Sequence, residues 1–259
     1  MRDYTYPAVI VTAKTLFRVL GQRFIMTGTE HVPTSGGVMM AFNHIGYVDF
    51  VYGGLAAQPS KRLVRFMAKR EIFDHPVGGP VMRSFHHIEV DRGDGVASAQ
   101  KAVEYLRAGE AVGIFPEATI SRSFELKEFK TGAVRIAAEA GVPVVPVIIW
   151  GTHRMMTKDH PRDFSRGKTI ALTVGEALHP TGDDPVAETA ALRERMSAML
   201  DDTIARYPAA EQPAGSWWLP ARFGGSAPTP AEAEELDAAE KRARAERRRA
   251  AAEARRQEK

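Results

Sequence analysis

The stretch AFNHIGYVDF, residues 41–50, places His44 five residues ahead of Asp49. An imidazole and a carboxylate are the parts of a proton-transfer pair: the carboxylate fixes one ring nitrogen, and the other takes a proton from a hydroxyl. In a continuous helix five residues advance about 500°, so the two side chains would diverge by about 140°. They meet only if the chain turns between them, and Gly46 permits that turn. Asp49 then falls in the first turn of the next helix, where the dipole favours a carboxylate. The same residues also read as a loop histidine beside a capping carboxylate, and the spacing alone does not choose. Asn43, the only asparagine in the chain, adjoins His44 and is a candidate for substrate contact.

Three further stretches carry charge where strands end. In FPEATISRSFELKEFKTG, residues 115–132, Glu117 follows a strand tip, and Lys130 opens a helix where backbone N–H groups favour a phosphate. HHIEVDRGDG, residues 86–95, places Arg92 just past a strand, and the guanidinium fork suits phosphate oxygens. VRFMAKREIF, residues 64–73, places Lys69 after another strand. Each cation taken singly also reads as a solvated surface charge. His86 and His87 are a poor metal pair, because neighbours on a strand point to opposite faces, and no metal site is expected.

The elements that must position these residues alternate. Apolar runs at 37–42, 63–68, 85–90, 111–115, 143–149 and 168–174 predict strands, and 48–57, 95–108, 131–140 and 184–206 predict helices. The pattern is that of an α/β domain, a mixed, mostly parallel sheet covered by helices. Pro143 and Pro146 in GVPVVPVIIWG suggest a strand start, an edge or a bulge. Residues 4–24 have helical apolar spacing and predict an amphipathic helix, packed on the domain or lying on a membrane. Residues 1–30 thus form an N-terminal helical segment, 31–225 the α/β domain, and 226–259 a charged helical or disordered tail. Trp217 and Trp218 suit either a membrane interface or packing on the domain.

Composition narrows the function classes. The chain has 259 residues and no cysteine, which excludes disulfides, thiolate metal sites and cysteine nucleophiles. No apolar run reaches the roughly 18 residues of a spanning helix, and no secretory signal is visible. A soluble or surface-bound protein is expected. Residues 241–259 hold nine Lys or Arg against three Glu, so the formal net charge of +3 is a property of the tail. That tail, with no face to bury, reads as solvated, with anionic lipid as an alternative partner. It lacks interleaved aromatics, which argues against nucleic acid.

Taken in order, Asn43-His44-x4-Asp49, Ala68-Lys69-Arg70-Glu71, Arg92, FPEAT and VPVVPV resemble the glycerolipid acyltransferase family, with the nearest likeness to bacterial 1-acyl-glycerol-3-phosphate acyltransferases. The resemblance covers roughly residues 25–180. It implies that His44 and Asp49 are catalytic and that Arg92, Glu117 and Thr119 help bind the acyl acceptor, with Lys69 facing its phosphate. Two departures stand out: Ala118 replaces the usual Gly, and Ile120 replaces the usual Arg. Arg122 is a substitute for that Arg if 119–123 is extended. The implied partners are an acyl-CoA or acyl carrier protein as co-substrate, a lysophospholipid, and the cytoplasmic face of a membrane, bound peripherally; no cofactor is implied. No Gly-x-Ser-x-Gly elbow is present, so direct transfer from thioester to hydroxyl is simpler than an acyl-enzyme. An acyltransferase acting on glycerol 3-phosphate or on another lysolipid or glycolipid, a His/Asp thioesterase and a non-enzymatic lipid-binding protein are the rival readings.

Overall fold

The computed structural model describes residues 6–257 apart from 77, 92 and 94. Seven strands form one sheet: β1 (Arg23–Thr27), β2 (Val38–Phe42), β3 (Val64–Lys69), β4 (Ile88–Val90), β5 (Ala111–Ile114), β6 (Val144–Trp150) and β7 (Thr169–Val174). Their spatial order is β1-β7-β6-β2-β5-β3-β4. All neighbours pair in parallel except β6 and β7. The helices are α1 (Tyr6–Val19), α2 (Asp49–Ala56), α3 (Arg70–Phe73), α4 (Gly78–Ser84), α5 (Gly95–Arg107), α6 (Gly132–Ala140), α7 (Pro185–Arg206) and α8 (Pro230–Gln257).

The central strand explains the layering. All five residues of β2, VMMAF, are buried. Successive side chains point to opposite faces, so a strand covered on both sides reads as a continuous apolar run. Met39 and Ala41 join one core with Val103, Leu106, Val134, Ala137, Leu192 and Met196 from α5, α6 and α7. Val38, Met40 and Phe42 join the other with Phe17 of α1 and Tyr52 and Ala56 of α2. The architecture is the expected mixed, mostly parallel sheet between helices.

Several sequence expectations change. The N-terminal helix stops at Val19, where Gly21 takes a left-handed turn (φ 58°), and the remainder of the expected helix becomes edge strand β1. Phe17 of α1 is buried against the domain, yet Val9, Val11, Leu16 and Val19 remain exposed, so the helix also presents apolar side chains at its surface. Strand β6 lies in the sheet interior despite Pro146. The proline falls between the Val147–Trp150 ladder to β7 and the isolated Val144–Leu178 bridge, so its missing N–H breaks no rung. Trp218 is buried against the domain, with the Arg154 guanidinium 4.5 Å from the centre of its indole ring. The C-terminal helix docks on the domain as well, since Ala233 and Asp237 are buried.

Asn43 continues the sheet beyond the end of β2. It is fully buried; its Oδ1 accepts from the Ile149 amide at 2.7 Å and its Nδ2 donates to the Ile149 carbonyl at 3.0 Å. The side chain imitates a peptide group and clasps β6, so Asn43 positions the next residue and is not available to substrate. Asn43→Ala orphans a buried donor and a buried acceptor. Denaturant unfolding should show a loss of about 2–4 kcal/mol.

Candidate active site

In parallel sheets, ligands gather outside the carboxyl ends of the strands. Here those ends deliver His44 after β2, Lys69 at the end of β3, Glu117 after β5 and Thr152 after β6. The structure brings His44 and Asp49 together. Nδ1 of His44 lies 2.9 Å from Oδ2 of Asp49, and since the carboxylate only accepts, Nδ1 carries the proton. Nε2 is left as the ring's basic nitrogen. The imidazole stacks on Phe115, with ring centres 4.3 Å apart, and its side chain is 22% exposed.

The turn between the pair is wrapped around the carboxylate. Asp49 Oδ2 also accepts from the amides of Ile45 (2.7 Å) and Gly46 (2.8 Å), and Oδ1 accepts from the Thr152 hydroxyl (2.5 Å). Asp49 is fully buried, so these donors replace its lost water. Gly46 is required by close approach, not by a special φ: an added Cβ would lie 3.0 Å from the Met156 carbonyl oxygen and 3.2 Å from Asp49 Oδ1. Tyr47 donates its amide to Met156 (2.9 Å), and Thr157 donates its hydroxyl to the Ile45 carbonyl (2.7 Å). The loop after β6 thereby fixes the turn. Thr152 and Thr157 escaped sequence reasoning; their position just past the VPVVPVIIWG strand was the available signal.

Glu117 faces inward. Oε1 accepts from the His44 amide (2.8 Å) and Oε2 from the Lys127 amide (3.0 Å), so it ties the 117–127 segment to the dyad and does not face substrate directly. Burial pushes its carboxyl up to about 8, against the pull of those two backbone donors. Ala118 sits at φ 57°, the left-handed region where a Cβ is disfavoured. This accounts for glycine as the family's usual residue there. Ile120 is buried at 4% exposure, so the position that usually carries the family's Arg serves packing here.

The cations divide. Arg122 is buried and bonds Asp159 (2.5 Å), Asp237 and Glu240 (2.9 Å). Its segment is irregular and bent, not an extended strand. Thr119 accepts from Lys158 Nζ (3.2 Å), a lysine that sequence reasoning did not single out. Lys69 is half-buried beside α3, and Lys130 is exposed just before α6. Arg92 lies outside the described residues. His153 is no second base: it is fully buried, donates Nε2–H to the Trp218 carbonyl (2.9 Å), and burial holds its pKa down near 3. Among the described residues no group of three His, Cys, Asp or Glu side chains is placed to hold a metal.

Two outcomes test this geometry. Thr152→Val removes one donor from a buried carboxylate and frees Asp49 to rotate; kcat should fall about tenfold with acceptor KM little changed. For Glu117, the native state keeps its proton up to about pH 8, whereas the unfolded chain releases it near the ordinary 4.5. Between those values the native state binds the extra proton, so stability falls as pH rises. The melting temperature of the wild type should decline from about pH 5 to about pH 8, and Glu117→Gln should flatten that slope.

Comparisons with known proteins identify the family. A family model described as acyltransferase matches residues 23–150. A 1-acyl-sn-glycerol-3-phosphate acyltransferase of Bacillus subtilis is 32% identical over 178 residues, covering 66% of this chain and 84% of that one. The enzyme of the same name from Borreliella burgdorferi is 30% identical, covering 72% of each chain. The crystal structure of the 1-acyl-sn-glycerophosphate (LPA) acyltransferase PlsC from Thermotoga maritima superposes with a TM-score of 0.63 at 25% identity, covering 76% of this chain and 78% of that one. A sheet that sets a His-x4-Asp pair at the carboxyl end of its central strand, together with relatives matched over most of their length, shows that this chain belongs to the acyltransferase family.

Proposed function

We propose that the protein transfers a fatty acyl group from an acyl thioester, acyl-CoA or acyl carrier protein, to the free hydroxyl of 1-acyl-glycerol-3-phosphate, giving phosphatidic acid. The observation that carries this reading is the 2.9 Å bond between His44 Nδ1 and Asp49, which leaves Nε2 as a base. Nε2 takes the proton of the acceptor hydroxyl as the oxygen attacks the thioester carbonyl. Asp49 stabilises the resulting imidazolium. The tetrahedral intermediate then collapses with cleavage of the C–S bond, and the thiolate regains the proton from the imidazolium. The thiolate is a good leaving group, so a second acid is not required.

The developing oxyanion needs backbone donors that are not already bonded. Those of His44 to Tyr47 are committed to Glu117, Asp49 and Met156. The amides of Thr119 and Ile120 have no partner among the described residues. They are the donors we assign to the oxyanion. The acceptor phosphate lies, in this reading, toward Thr119, Arg122 and Lys158, with Lys69 and Lys130 at the margins.

Among the described residues no helix is long and apolar enough to cross a membrane. The exposed Val9, Leu16 and Val19 of α1, within about 80° of one another around the helix, supply an apolar stripe for peripheral attachment, which suits two lipid substrates.

Thiol release from an acyl-CoA, measured with and without lysophosphatidic acid, tests the reaction. Release should require the acceptor and fall at least about a hundredfold in a folded His44→Ala protein. Acceptor-independent release would instead identify a thioesterase, and unaltered turnover in the variant would remove His44 from the chemistry.

A further inference from the structure

Helix α8 is the part of the chain that the proposed reaction leaves unexplained. Asp237 is buried on the domain and joins three cations: Arg122, Lys127 and Lys158. Glu240, one turn later, bonds Arg122 at 2.9 Å and Lys158 at 3.1 Å. Lys158 also reaches the Thr119 hydroxyl, at 3.2 Å. Farther along, Arg244 meets Glu71 at 3.4 Å, on the helix that follows Lys69. The helix therefore crosses from the 117–127 segment to the end of β3, over the side of the sheet that carries the dyad. Glu240 comes near enough to the Tyr47 phenol to help burial raise its pKa, which places α8 beside the His44–Asp49 turn.

Charge identifies what α8 is standing in for. Arg122, Lys127 and Lys158 face two acidic groups of the domain itself: Asp159, which bonds Arg122, and Glu117, which acts on Lys127 but which burial keeps protonated up to about pH 8. Without α8 the cluster has two positive charges in excess. Asp237 and Glu240 supply two negative charges, about what a phosphate monoester carries near neutral pH. Ammonium and guanidinium groups that bond carboxylate oxygens bond phosphate oxygens by the same geometry.

We propose that Thr119, Arg122, Lys127 and Lys158 form a phosphate-monoester site that α8 fills with Asp237 and Glu240, so that the helix competes with the acceptor's headgroup and holds the enzyme back. This rests on the acceptor reading given above and adds its regulation. The acceptor binds only when the α8 carboxylates leave, so its apparent affinity is reduced by the fraction of molecules with the helix docked. Free phosphate and the lipid headgroup share the chemistry and compete for the same place.

The test has two arms on the full chain. In the first, amide hydrogen exchange of residues 230–245 is followed in the wild type as inorganic phosphate is added, with chloride at equal ionic strength as control. Phosphate should speed exchange there and chloride should not; equal exchange in both salts overturns the proposal whether or not the protein is an acyltransferase. In the second, acyl transfer is compared between the wild type and Asp237→Asn/Glu240→Gln. The variant should show acceptor KM lowered about five- to tenfold with kcat within twofold, and inorganic phosphate should inhibit it at correspondingly lower concentration. If headgroup affinity rises but phosphate inhibition does not, the lipid's glycerol or acyl part displaces α8 and the phosphate site is refuted. A folded variant with unchanged or raised KM makes the carboxylates purely structural. Absence of acyl transfer in both proteins refutes the acceptor reading alone, and the exchange arm then decides the α8 site.

Discussion

The structure depends on a fully buried carboxylate that no lysine or arginine among the described residues neutralises. Asp49 has lost its water and is held by four donors: the His44 ring, the amides of Ile45 and Gly46, and the hydroxyl of Thr152. An ion in that position is expensive unless each lone pair is met. Meeting them dictates the local chain path. Residues 44–48 must curl back over the head of α2, Gly46 must lack a Cβ, and β6 must end where Thr152 reaches Oδ1. Asn43 holds β2 against β6 at the level that makes this possible. Fixing the proton on Nδ1 and leaving Nε2 basic follows from the same arrangement.

A second buried carboxylate extends the constraint to the next motif. Glu117 reaches back to the amide of His44 and forward to that of Lys127, so the FPEAT segment cannot move without moving the dyad. The segment bends sharply to do this, with Ala118 and Phe124 both at positive φ. Backbone strain of this kind persists only when the surroundings over-determine it. Here they do: Ser121 donates its amide to the His44 carbonyl at 2.8 Å, and Ile120 is packed into the interior. Glu117, Ala118 and Ile120 of the motif therefore largely set its shape.

What the sequence made legible follows from periodicity and spacing. The strands of the central sheet and helices α2, α5, α6 and α7 read clearly because both faces of the sheet are covered, which leaves unbroken apolar runs between helical stretches. His44 and Asp49 were legible as a pair because glycine between them allowed a turn. Edge strand β1 was not, since its mixed burial, with two of five residues exposed, erases the alternation that marks a strand. Asn43 and Glu117 stood out in the sequence as candidates for substrate contact, and the structure commits their polar atoms to backbone groups. Residue type marks a polar group that matters; whether it faces substrate or backbone is decided by partners more than 70 residues away.

Helix α8 shows the limit of hydropathy as a guide. Its sequence has almost no apolar face, and a helix of that kind ordinarily has nothing to bury. It docks through ions instead, with Asp237 and Glu240 answering Arg122 and Lys158 across separations of 79 to 118 residues. Each charge alone reads as a solvated side chain, and only the fold puts the four together. An ionic seal also differs from an apolar one in what can open it. Replacing buried methyl groups requires a ligand of matching shape, whereas carboxylates on cations yield to any anion of equal charge that brings further contacts of its own. A seal made this way, set against the segment that also anchors the His44–Asp49 turn, is well suited to being displaced by a ligand that carries a phosphate.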